Sequence, residues 1–136
     1  MRIPGRRMAL AVLAVTLAAC TSAAPPPPAT TVPITGFQMV AGKWEGSVVG
    51  LPGSKDEGDW IKVTIGEDGS YDFGMYRTLG MFGGKGKFEL KDGKLLTQSQ
   101  HGNAVYTLSE RGGRQLLKGE GVVDNLKVTA DLSRAK

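Results

Sequence analysis

Histidines, nucleophilic cysteines and spaced carboxylates carry most acid–base and metal chemistry, and this chain has few of them. Its one histidine, His101, stands between Gln100 and Gly102-Asn103. Those turn-forming neighbours place it in a surface turn rather than in a catalytic dyad. No Gly-x-Ser-x-Gly elbow presents a serine, so no activated nucleophile is in view. Asp56-Glu57-Gly58-Asp59 is the one acidic cluster; it lacks the alternating ligands of a calcium loop and reads as a solvated loop. Gly80-Met-Phe-Gly-Gly-Lys85-Gly86 has the glycines of a phosphate loop. It has neither the required spacing before the lysine nor a hydroxyl residue after it, and no helix follows to receive a phosphate. The expectation is therefore a protein with no catalytic residues, no metal site and no cofactor, which binds or supports rather than transforms.

The other singular residue is Cys20, the only cysteine. Arg2, Arg6 and Arg7 precede an apolar run, Met8–Ala19, that ends at it. This run is shorter than the ~20 residues a membrane-spanning helix needs. Positive charge, a short apolar stretch and small residues together form a signal-peptide pattern over residues 1–19. Leu17-Ala18-Ala19-Cys20 resembles the lipobox of bacterial lipoproteins. The resemblance implies a diacylglyceryl group on the Cys20 sulfur, cleavage after Ala19, and a chain exported and held on a membrane by acyl groups. Two or more such chains hold a protein almost irreversibly, whereas one binds only marginally. Thr21 after the cysteine resembles outer-membrane cargo, facing the periplasm, in a cell with two membranes.

Residues 20–35 contain four consecutive prolines, Pro25–Pro28, among small residues. Such a segment favours extended polyproline II and is expected as a disordered tether. Loss of residues 1–19 removes three of the arginines behind the formal charge of +4 and leaves a near-neutral chain. Nucleic acid rewards a concentrated basic face, so it is not an expected partner.

Residues 36–136 should form one domain, expected to be monomeric and long enough to bury a core without disulfides. Short alternating runs separated by glycine turns predict about eight strands: Lys43–Val49, Trp60–Gly66, Ser70–Arg77, Lys85–Lys91, Lys94–Gln100, Asn103–Glu110, Arg114–Val122 and Asn125–Leu132. The last sets Leu126, Val128, Ala130 and Leu132 against Asn125, Lys127, Thr129 and Asp131, the period of two that a sheet with one wet face requires. Asp68-Gly69 and Asp92-Gly93 are hairpin signals. The fold class is all-β: an antiparallel meander closing into a small up-and-down barrel, which removes exposed edges. A β-sandwich is the structural alternative.

At the opening strand stands Gly42-Lys43-Trp44-Glu45-Gly46. A Gly-x-Trp on the first strand of such a meander resembles the calycin group of lipocalins, avidins and small protease-inhibitor barrels. The resemblance implies that Trp44 plugs the barrel floor and that Gly42 gives the backbone room. An eight-stranded barrel is just wide enough to be filled by side chains or to hold one small ligand. Tyr71, Phe73, Met75, Phe88 and Leu90 are bulky enough to fill it. Thr78–Gly84 is expected as a loop carrying Leu79, Met81 and Phe82, which either finishes the core or forms an apolar lip for a partner. The functional expectation is a binding barrel for a small apolar ligand or an envelope protein. A structural lipoprotein supporting an envelope complex or the cell wall is the alternative.

Overall fold

The computed structural model describes residues 25–53, 58–77 and 80–136. Ten antiparallel strands form one sheet: β1 (Thr30–Val32), β2 (Gly42–Val49), β3 (Asp59–Ile65), β4 (Ser70–Arg77), β5 (Gly80–Lys87), β6 (Glu89–Lys91), β7 (Lys94–Ser99), β8 (Gly102–Arg111), β9 (Arg114–Val123) and β10 (Leu126–Arg134). The hydrogen-bonded order is β5-β4-β3-β2-β10-β9-β8-β7-β6. Chain neighbours pair from β2 to β5 and from β6 to β10, β1 pairs with β8, and β2 closes on β10, with Gly46 opposite Leu132. The two ends of this path, β5 and β6, are consecutive in the chain and separated only by Phe88. One long strand therefore pairs with β4 along Gly80–Lys87 and with β7 along Glu89–Lys91. The sheet curls into a small barrel, completed at one end by this bent strand and split between β5 and β7 at the other. A single curled sheet replaces the two-layer sandwich alternative.

The tight turns follow from their residues. Asp92-Gly93 (φ 53° and 74°) and Asp124-Asn125 (φ 49° and 66°) both take positive φ at two consecutive positions. That is the turn whose twist matches antiparallel strands, and Asp, Asn and Gly tolerate it best.

Two boundaries differ from the sequence reading. The folded unit starts before residue 36. Thr30–Val32 pairs with β8, Ile34 donates its N–H to the Gly93 carbonyl at 2.9 Å, and its side chain is 2 % exposed. Proline is compatible with an edge strand, so Pro33 does not prevent residues 30–34 from docking. Within the described tether, Thr30–Val32 is strand, while 25–29 and 33–35 have no regular structure. The fourth strand also begins earlier than Lys85. Gly80–Gly84, expected within a loop, pairs residue for residue with Arg77–Phe73. Glycine depletion in strands is a packing preference, and here the Phe73 ring covers Gly84.

The fully buried large side chains are Ile34 and Val40, just outside the strands, with Trp44, Ile65, Leu95, Leu108 and Leu117 from the strand halves toward the same end of the barrel. They make a solid lower half. Below them a 3₁₀ turn, Phe37–Met39, closes the floor with the Phe37 ring lying against Gly69 of the β3–β4 turn. Trp44 is 0 % exposed, and its Nε1 donates to the Val40 carbonyl at 2.8 Å. The Arg134 guanidinium lies 4.2 Å over its ring. It donates to the Met39 carbonyl at 2.8 Å, the Gln115 amide oxygen at 3.0 Å and the Ala41 carbonyl. Gly42 has φ 121°, a region closed to most residues with a Cβ, and it sits directly under that guanidinium.

Candidate ligand-binding site

Above the packed half the barrel is hollow. The cavity has a volume of about 700 Å³ and opens between the loop after β2 and the turns β7–β8 and β9–β10. Its walls are Val48, Ile61, Val63, Phe73, Met75 and Ala130, with Tyr71, Phe88 and Tyr106 at its base. A volume of this size lies within the range of cavities that enclose small organic ligands.

The hollow depends on glycines facing aromatics. In direct register, Tyr71 stands opposite Gly86 and Phe73 opposite Gly84, while Tyr106 stands opposite Gly119. Each ring lies against the bare backbone of its glycine, so closely that a Cβ there would collide with it. The aromatics are thus laid along the wall, where they leave the interior open. Tyr71, Phe73, Met75 and Phe88, expected to fill the barrel, line it instead. Period-two glycines, Gly84 and Gly86 on β5 and Gly119 and Gly121 on β9, were the legible signal for a hollow upper half.

Three rings meet at the cavity base: Tyr71 and Phe88 with centroids 4.5 Å apart, and Phe88 and Tyr106 edge-on at 5.5 Å. Burial pushes the Tyr106 phenol up to about 12, with the neighbouring Tyr71 adding a smaller push in the same direction. Unfolding returns it to about 10. The folded chain therefore holds this proton more tightly, and stability is full below about pH 10 and falls as pH rises toward 12. Tyr106→Phe should remove this step from the stability profile, measured by urea unfolding between pH 9 and 12. An unchanged profile would place the phenol in water.

The rim is polar. The β7–β8 and β9–β10 turns are tied by the Asp124 N–H donating to the His101 carbonyl at 2.8 Å. His101 Nδ1 lies 3.6 Å from Asp124 Oδ1, both side chains being exposed. Across the mouth, Arg77 bridges Asp59, 3.3 Å from its Nε, and the Pro52 carbonyl. This holds the stretch after β2, with the cavity-lining Leu51, against β4. Asp59 thus lies in β3 and is engaged by Arg77, whereas Asp56 and Glu57 fall outside the described residues.

The candidate lip residues separate. Phe82, opposite the inward Met75, lines the cavity mouth and is 52 % exposed. Met81, opposite Tyr76, points to the outer face and is 70 % exposed. Leu79, and the lipobox residues Leu17, Ala18, Ala19 and Cys20, lie outside the described residues. Among the described residues, no group of three or more His, Cys, Asp or Glu is placed to hold a metal ion. Compared with protein-family models, curated proteins and solved structures, the chain matches none.

Proposed function

We propose that this chain is an exported lipoprotein, acylated at Cys20, whose calycin-like barrel binds a small apolar molecule without transforming it. The observation that carries the binding reading is the cavity of about 700 Å³ walled by aliphatic and aromatic side chains. An apolar molecule entering it sheds its own hydrated surface, worth ~25 cal/mol per Å², and meets few groups that need a hydrogen bond. The plug also supports the calycin resemblance: Trp44 is enclosed where the first full-length strand begins, with Gly42 beneath Arg134. The anchor rests on Leu17-Ala18-Ala19-Cys20 and on the charge and apolar run before it. An interior open to a ligand favours the small-molecule reading over capture of an envelope protein, which would need only an outer surface.

Mass spectrometry of the chain purified from the membranes of its own cells tests both halves. The intact protein should begin at Cys20 and carry the added mass of acyl groups. Organic extraction should release a small apolar molecule at close to one per chain, and the emptied protein should take up N-phenyl-1-naphthylamine with a rise in its fluorescence. A chain that yields no extractable molecule and does not bind the dye would leave only the structural lipoprotein. An unmodified Cys20 would remove the anchor alone.

A further inference from the structure

The outer face of β3, β4 and β5 carries a second feature that the cavity does not use. Trp60, Tyr76 and Met81 are direct register partners across the three strands and are 47 %, 48 % and 70 % exposed. Val49, also exposed, lies on β2 two residues beyond Ser47, the partner of Trp60. All four lie at the open end of the barrel, beside Phe82 at the mouth. Toward the closed end the same face turns basic. Lys43, Lys62, Lys85 and Lys87 occupy outward positions against only Glu45 and Asp72. Lys62 reaches forward, its Nζ 5.7 Å from the centre of the Tyr76 ring.

We propose that this face docks the barrel on an anionic lipid bilayer with the calyx mouth turned toward it. The order of residue types matches the order of chemistries met on entering a bilayer. Trp and Tyr combine an apolar body with a polar tip and settle at the headgroup boundary, Met81 is the most exposed of the row, and the lysines behind them reach anionic headgroups. Soluble monomers normally scatter their exposed aromatics singly rather than in a row. A protein partner would more commonly meet aromatics ringed by balanced polar groups, whereas here the flank carries four lysines against two carboxylates.

The anchor permits this pose. Ten residues from Cys20 to Thr30 span ~31 Å as polyproline II, at ~3.1 Å per residue. Thr30 sits opposite Glu110 at the closed end of β8, and ten-residue β8 is ~34 Å long. Strands of a small barrel tilt by ~35–45°, so β8 rises only ~24–28 Å along the axis, and this reach is enough to lay the mouth on the surface. Only this reach rests on the acylated cysteine; the face itself does not.

The test uses the full chain added to vesicles of phosphatidylglycerol and phosphatidylcholine whose acyl chains carry bromine. Tryptophan emission reports two residues, and Trp60→Phe isolates the enclosed Trp44. The emission assigned to Trp60 should shift to the blue and lose more than half its intensity. Lys62→Glu with Lys87→Glu should cut that quenching to below half while leaving the thermal midpoint unchanged. A chain that sediments with the vesicles while Trp60 stays open to acrylamide would overturn the docking face and leave the anchor standing. A chain that does not sediment would overturn both. Shielding of Trp60 by envelope proteins but not by vesicles would assign the face to a protein instead.

Discussion

Trp44→Ala is expected to destabilise the chain by about 3–5 kcal/mol, the range for truncating a large aromatic in a packed core. The urea midpoint reads it directly. For a domain of this size, a loss of that order lowers the thermal midpoint by at least about 12 °C. The side chain is 0 % exposed, so the lost contacts are replaced by a void rather than by water. Two polar groups lose their partner at the same time. The Val40 carbonyl gives up the indole N–H at 2.8 Å, and the Arg134 guanidinium loses the ring 4.2 Å beneath it. Burial already lowers the Arg134 pKa, so a cation exposed to the new void is poorly solvated there. Trp60→Ala serves as the control, because that ring is half exposed and surface substitutions fall within about 0.5 kcal/mol. A cost below ~1 kcal/mol at Trp44 would mean that the floor does not depend on its plug.

The contrast between these two tryptophans shows what the sequence could convey. Period-two alternation over Trp60–Gly66 sets Ile61, Val63 and Ile65 on one face and Trp60 on the other, and in the structure the first three are buried and Trp60 is exposed. Period two is a local property, set by the backbone pleat, and it survives without knowledge of the partner strand. The all-β class and the meander were legible for the same reason: each hairpin turn joins strands adjacent in the chain. The start of the fold was not legible, because Val32 and Ile34 are isolated apolar residues among prolines and their burial depends on β8 and on Gly93, far along the chain. Gly80–Gly84 failed differently. Its side chains give no alternation, and its strand character rests on backbone register with Arg77–Phe73 of β4.

The cavity was the least legible part of the site. Counting bulky inward residues suggests a filled barrel, since Tyr71, Phe73 and Phe88 have ample volume. What decides the outcome is the residue directly across from each ring, which depends on register and so on the turns. With Tyr71 opposite Gly86, Phe73 opposite Gly84 and Tyr106 opposite Gly119, ring volume goes into the wall. The same composition shifted by one register position would set rings against lysines and leave the glycines uncovered, because each side chain would change face.

That dependence leads to the second large effect: Gly119→Ala should weaken binding of N-phenyl-1-naphthylamine by at least about tenfold. A Cβ at residue 119 would lie 2.6 Å from Tyr106 Cε1 and 2.9 Å from Cδ1, closer than carbon atoms approach without contact strain. The ring, anchored at its own Cα on β8, can relieve this only by swinging off the wall into the cavity. Gly86→Ala should act in the same way on Tyr71, whose ring and hydroxyl cover it. Stability should change less than binding does. Alanine in extended backbone gains ~0.5–1 kcal/mol over glycine, which offsets part of the ~1–3 kcal/mol typical of overpacking. Gly74→Ala is the matched control, since a Cβ there meets nothing within 4 Å, and it should leave binding unchanged. Combining Gly119→Ala with Tyr106→Ala removes the displaced ring and should restore much of the lost affinity, a coupling read as a double-mutant cycle. Wild-type affinity in Gly119→Ala would show that the dye does not occupy the space beside Tyr106, and the calyx would lose its place as the binding site.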